Sequence, residues 1–366
     1  MTPQSDVPLA AWCTLGIGGP ARWFVEAASD EAIRPALAWA DARDVAVYVL
    51  GGGSNVVVAD TGFDGLVIKV DIRGVARSES NGRVHFAVGA GEAWDPFVAA
   101  TVAADCAGLE CLSGIPGLVG GTPIQNVGAY GQEVSATITR VHLIDRRTRE
   151  IVILRSEECG FGYRTSRFKR NDDFIVTRVE YALLAHGAPT IAYADVLSYF
   201  EHEHGTPSLA AVRDAVLQIR RRKGMVIEEG NPANRSVGSF FVNPVVTRAH
   251  FDQIADSVGD PSRIPRYPIG TDAIKVPAAW LIEQAGFPKG YARGVIGVSP
   301  FQAQAIVNHG GARAADVIEL ASDIKRAVWE RFGVAIVPEP VFVGFRPSDG
   351  LRWLLDSRPH IEAGKG

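Results

Sequence analysis

The sequence predicts a mixed α/β or α+β protein built from two domains. Three observations predict it. Strands alternate with helices through glycine turns over roughly the first half of the chain. The chain has 366 residues, and at about 150 residues per domain that length gives two domains, at most three. The composition is 47% hydrophobic and 21% charged, which supplies a large core without a disulfide or metal staple.

Charge and cysteine content narrow the function classes. A net charge of −4 disfavours nucleic acid and membrane surfaces as partners, because both are anionic. No window of 18 apolar residues is present, and Met1–Ala11 lacks the basic start and apolar stretch of a signal peptide. A cytoplasmic protein is therefore expected. Cys13, Cys106, Cys111 and Cys159 form no C-x-x-C pair, so they read as reduced and packed. His202 and His204 lie two apart in EHEH, a spacing that splits them between faces of a solvated helix. No metal site is expected.

The first strand is WFVEAA from Trp23. Ser29 then offers a helix N-cap, with Asp30 and Glu31 suiting the positive end of the helix dipole and Ile33, Leu37 and Ala40 at helical spacing. A strand over Val45–Leu50 runs into Gly51, Gly52, Gly53, Ser54 and Asn55. Strands follow over Leu66–Val70 and Val84–Val88, and then a helix from about Glu92 to Asp105. The segment Cys111–Val134 is too apolar for a linker and too rich in glycine and proline for a helix. Long ordered loops of that kind usually carry function.

ITRVHLID and EIVILR form a hairpin, and FIVTRVEYALL alternates as a strand. Composition shifts at His186–Thr190, which sets domains of 1–187 and 188–344 with an appendage over 345–366. In the second domain, Leu209–Arg222 reads as a helix ending in a basic run, and Ala278–Gly286 as a helix with a glycine C-cap. Ala314–Phe332 carries an apolar stripe of Val317, Leu320, Ala321, Ile324, Val328 and Phe332. The strand VAIVPEPVFVG follows Gly333.

No G-x-x-x-x-G-K-[ST] motif occurs, and no G-x-G-x-x-G follows a strand, so a P-loop or Rossmann site is unsupported. Three glycine clusters, at 16–19, 51–53 and 114–131, could still turn backbone N–H groups toward one pyrophosphate.

The segments TLGIGGPARWF, GGGSNVVV, SGIPGLVGGTPIQNVGAYGQE, GYRTSRFK, SVGSFFVNP and PEPVFVG occur in this order. Together they resemble the UDP-N-acetylenolpyruvoylglucosamine reductase family over roughly residues 12–344. The resemblance implies an α+β architecture: an FAD-binding domain of the vanillyl-alcohol-oxidase type, followed by a smaller α+β domain for the UDP-sugar. FAD would be held non-covalently by Gly51–Asn55, Ser113, Gly114, Ile115, Gly117, Gly120, Gly121, Gln125, Asn126, Val127 and Gly131. The implied reaction passes hydride from NADPH, through FAD, to the enolpyruvyl ether of UDP-N-acetylglucosamine enolpyruvate. The product is UDP-N-acetylmuramate, a peptidoglycan precursor.

The resemblance assigns catalysis to Arg164 in GYRTS, Ser239 in VGSFF and Glu339 in VPEPV. A guanidinium fork matches a carboxylate that gains charge, a protonated glutamate donates to the same oxygens, and a serine hydroxyl with an assisting neighbour returns a proton to carbon. Tyr193, Lys223, Asn243, Tyr267, Lys289 and Gln302 match family positions for the UDP-sugar or NADPH. The two tyrosines match the type with a mobile tyrosine loop. A monomer is expected. The sequence departs from the family at Val242, often lysine, at Pro340, usually valine, and in a longer Gly224–Arg235 stretch. The competing readings are another flavin oxidase or dehydrogenase on this fold, and an inactive nucleotide-sugar sensor.

Overall fold

The computed structural model describes every residue except 203, 229–233, 260, 261, 263, 347 and 358–366. Parts of the 224–235 stretch and the end of the 345–366 appendage therefore lie outside the described residues. The chain divides into two compact units. The first comprises Met1–Val7, Ala21–Gly53 and Asp64–Ile227; the second comprises Pro8–Pro20, Ser54–Phe63 and Glu228–Gly366.

In the first unit, one sheet orders the strands Gln4–Pro8, Pro20–Ala27, Phe63–Val70 and Val47–Leu50. Another orders Ile151–Arg155, Ile138–Asp145, Phe174–Ala185, Arg83–Gly89 and Val75–Ser80, with Cys106–Ala107 paired to Phe174–Ala185. The hairpin pairs Arg140 with Arg155 and Ile144 with Ile151. Val141, Leu143, Val179 and Tyr181 enter the core while Arg140, Arg178 and Glu180 lie on the opposite face, as strand alternation requires. Ser29 caps the helix Asp30–Asp41 by accepting the Ala32 N–H at 3.3 Å, and Ile33, Ala36, Leu37 and Ala40 are buried.

The contact boundary falls later than the composition shift. Residues 188–227 belong to the first unit because the helix Leu209–Arg222 buries Val212, Val216 and Ile219 against Cys111, Tyr130 and Val196. Composition reports polarity; it does not report which core an amphipathic helix covers. His202 is not helical either: the preceding helix, Ala194–Tyr199, has already ended.

The second unit is discontinuous because Val56–Val58 pairs in parallel with Val341–Val343. Leu15, Ile17 and Val57 join its core. Gly18 and Gly19 serve this packing. A Cβ on Gly18 would stand 2.5 Å from the Val58 Cβ, and one on Gly19 would strike the backbone of Asp60–Gly62. Glycine at these two positions therefore permits a close backbone approach within this unit.

The helix Ala314–Phe332 buries Val317, Leu320, Ile324 and Val328 and stops at Gly333, whose φ is +63°. The segment after it is not one long strand. Only Val341–Val343 is a strand, and Pro338 makes a single bridge to Phe241, because Pro338 and Pro340 have no N–H to extend a ladder. The described part of the tail packs on the core of this unit. It forms a helix, Asp349–Leu355, that buries Leu351 and Leu354, and Lys325 Nζ donates to the carbonyls of Trp353, Leu354 and Asp356 at 2.7, 2.9 and 2.5 Å. Among the described residues no helix is long and apolar enough to cross a membrane.

Candidate active site

Two glycine loops meet in the first unit. The strand Val47–Leu50 ends in Gly51–Gly53, with Gly53 at φ +63°. A Cβ on Gly52 would stand 2.6 Å from the Gly117 Cα, so only glycine permits this approach. Around Gly51 and Gly121, by contrast, an added Cβ would meet nothing within 4 Å. The backbone here is both close-packed and open to an approaching group.

Neighbouring elements fix the second loop. Ala90 and Glu92 accept the N–H groups of Gly120 and Val119, both at 2.9 Å, while Trp94 donates to the Gly117 carbonyl at 3.1 Å. Ser113 Oγ donates to Glu110 O at 2.6 Å, and Gly114 N–H donates to Asp95 at 2.6 Å. Arg213 grips Asp95 with two nitrogens at 2.7 and 2.9 Å. Burial would raise the Asp95 carboxyl, but the guanidinium and the Gly114 N–H outweigh it and hold it below the ordinary range. Ile115 packs half-buried on the core.

The loop continues through Gln125, Asn126 and Val127. Asn126 is buried and left-handed, φ +47°. Its amide donates to Glu133 at 2.7 Å and to Gly162 O at 3.2 Å, and its carbonyl accepts from Ser135 at 3.1 Å. Val127 donates to Thr122 O at 3.0 Å, and Gly131 takes φ +89°. Arg164 sits at the tip of a two-residue turn closed by reciprocal Gly162–Thr165 backbone bonds of 3.0 and 3.2 Å. It is also left-handed, φ +53°, and its guanidinium donates to Gly128 O at 2.7 Å. The first unit thus brings Arg164 together with the Gln125–Val127 loop.

A second group gathers on Tyr130, itself at φ +49°. Tyr193 meets it edge-on at 5.5 Å between ring centroids. The Lys223 ammonium lies 5.7 Å from the Tyr130 ring and pairs with Asp195. Burial pushes the Tyr130 phenol up, against the opposing pull of Arg220 and Lys223.

In the second unit the backbone sets Glu339 beside Phe240, the residue that follows Ser239. Glu339 N–H donates to Phe240 O at 2.8 Å, and Val242 N–H to Val337 O at 3.0 Å. Gly238 precedes the serine at φ +72°. Buried Gln304 holds the segment: its backbone carbonyl accepts the Phe240 N–H at 2.8 Å and its side-chain amide donates to Phe241 O. Pro340 does not displace the glutamate from this pairing. Asn243 uses its side-chain oxygen to accept the Ala278 N–H at 2.9 Å, at the start of a helix. Gln302 contacts Gln304 at 3.4 Å. Tyr267 is exposed on a short hairpin strand, with Lys275 5.8 Å from its ring, and Lys289 is exposed. Ser54 and Asn55 belong to this unit, where Asn55 O accepts the Val341 N–H at 3.0 Å.

Sequence reasoning missed Asp95, Arg213, Glu133, Lys169 and Gln304, which hold these loops. Glu133 and Lys169 lie inside the quoted segments and Gln304 lies two residues after Gln302, but nothing in a linear pattern shows which atom a side chain will reach.

Residues 21–154 match an FAD binding domain, and residues 231–343 match the UDP-N-acetylenolpyruvoylglucosamine reductase C-terminal domain. The UDP-N-acetylenolpyruvoylglucosamine reductase of Thermobifida fusca is 44% identical over 346 residues, covering 93% of this chain and 97% of that one. That of Saccharopolyspora erythraea is 44% identical over 351 residues, covering 93% and 96%. The crystal structure of UDP-N-acetylenolpyruvylglucosamine reductase (MurB) from Thermus caldophilus superposes with a TM-score of 0.62 at 27% identity, covering 94% and 99%. The chain belongs to the UDP-N-acetylenolpyruvoylglucosamine reductase family and is an FAD-dependent oxidoreductase.

Proposed function

We propose that the protein reduces the enolpyruvyl ether of UDP-N-acetylglucosamine enolpyruvate to UDP-N-acetylmuramate, with NADPH as donor, as a cytoplasmic step of peptidoglycan precursor synthesis. The observation that supports it most is the Phe240–Glu339 backbone bond, which sets Glu339 beside the residue that follows Ser239, in a chain that also sets Arg164 in a left-handed turn.

The residues present fit FAD. Gly51, Gly52, Gly53, Ser113, Gly114, Gly117, Gly120 and Gly121 would hold its pyrophosphate end, with Ser54 and Asn55 adjoining in sequence. The open space at Gly51 and Gly121 is what a cofactor approaching the backbone requires. Ile115, Gln125, Asn126, Val127 and Gly131 would border its ring. When bound, FAD supplies the hydride relay between NADPH and the methylene carbon of the substrate.

The chain's own groups handle charge and protons. Arg164 would grip the substrate carboxylate with parallel N–H donors and stabilise the charge that builds there. Glu339, protonated, would donate to the same oxygens. Ser239 would return a proton to the carbon bearing the carboxylate. Lys223 would face the diphosphate, Tyr193 and Tyr267 the nucleotide end, and Asn243, Lys289 and Gln302 the remaining polar groups.

An anaerobic reoxidation experiment tests the reading. The purified protein should be yellow, NADPH should bleach it, and the enolpyruvyl UDP-sugar should restore the oxidised spectrum without oxygen. A bleached protein that the sugar leaves reduced would overturn the proposal.

A further inference from the structure

We propose that Lys169 is a positioning residue for the reduction, acting through Arg164. The inference rests on the catalytic role proposed for Arg164. Two-residue turns with a left-handed second residue normally place glycine or asparagine there. Here the residue is arginine, at φ +53°. A strained, non-glycine conformation of this kind persists only where its surroundings over-determine it.

Lys169 supplies the missing constraint. Its ammonium donates to the carbonyl of Arg164 at 2.8 Å and contacts the Gln125 side-chain oxygen at 3.4 Å. A charge-assisted bond to the carbonyl of the strained residue fixes the peptide plane that follows it. The guanidinium is then aimed from a rigid base, with Gly128 O as its own guide at 2.7 Å. Two further bonds fasten the same pair of loops: Ser166 Oγ to Ile124 O at 2.7 Å and Asn126 to Gly162 O at 3.2 Å. Lys169 differs from both because one charge bridges the Arg164 turn and the side chain of Gln125, a residue proposed above to border the flavin ring. One ammonium therefore sets the distance between the carboxylate grip and the ring's border, which is the geometry hydride transfer depends on.

The test compares Lys169→Met with Lys169→Arg in the FAD-loaded protein, followed by hydrogen exchange on both. Methionine keeps the length and apolar stem without the donor. In Lys169→Met, flavin content and bleaching by NADPH should stay within twofold of wild type. Reoxidation by the sugar should slow at least tenfold, with the loss in the rate constant. Lys169→Arg should recover most of it. The double variant Lys169→Met/Arg164→Met should be no slower than Arg164→Met alone, because both act through one group. The Thr165 amide should exchange at least tenfold faster in Lys169→Met, with amides of the distant strand Ile138–Asp145 unchanged.

Equal loss in both half-reactions, additive effects in the double variant, or unchanged exchange at Thr165 would overturn the positioning role. If wild-type flavin is not reoxidised by the sugar, the proposed function fails, and the exchange comparison still decides whether Lys169 holds the turn.

Discussion

The Glu339 N–H donates to the Phe240 carbonyl at 2.8 Å, which locks the glutamate one register step from Ser239. Two segments a hundred positions apart in the chain are thereby joined by a backbone bond.

Ser239→Ala should separate the half-reactions. Flavin bleaching by NADPH should be almost unchanged, while sugar-dependent reoxidation should fall by about 100- to 10,000-fold, the range for losing a positioned proton donor. Stopped-flow absorbance reads both steps, and parallel losses would refute the role.

Gly52→Ala and Gly51→Ala should behave differently. At Gly52 the methyl meets the Gly117 Cα at 2.6 Å, and backbone must shift at a cost of about 1–3 kcal/mol. Melting of FAD-free protein should fall. At Gly51 an added Cβ meets nothing within 4 Å, so that variant should melt like wild type when FAD-free yet bind FAD more weakly. Calorimetry and FAD titration give the two readouts.

Asp95 makes stability depend on acidity. Its folded carboxyl is held below the ordinary range despite burial. The unfolded chain therefore binds the extra proton first, and the contribution is complete above the unfolded value near 3.9. It is lost as the pH falls through the lower, folded value. Urea unfolding from pH 7 down to pH 3 should show a steeper decline for wild type than for Asp95→Asn; equal slopes would remove Asp95 from the account.

Lys325→Met should loosen the C-terminal helix. It removes the donor shared by three carbonyls, at about 1–3 kcal/mol. Cleavage after Arg352 by trypsin should become faster. Burial pushes the Lys325 ammonium down to about 8, with Asp356 opposing. Between about pH 8 and 10 the unfolded chain holds more protons there, so wild type should gain stability on the variant over that range. No gain would argue against a buried charge.

The sequence by itself determined much of the local structure. The Ser29 cap, the Ala314–Phe332 stripe with its Gly333 stop, and the Ile138–Arg155 hairpin are set by residues within a few positions of one another. The ordered motifs likewise identified the family. What tertiary structure alone decided is which segments share a core. Residues 8–20 and 54–63 join the second unit because Val56–Val58 finds Val341–Val343 as its partner. Residues 188–227 stay with the first because their helix covers Cys111 and Tyr130. The same holds for Lys169 on Arg164, Arg213 on Asp95 and Lys325 on the terminal helix. Helix caps and alternation are short-range effects and leave a periodic trace. A side chain meeting a distant carbonyl is fixed only once the packed backbone has set the distance.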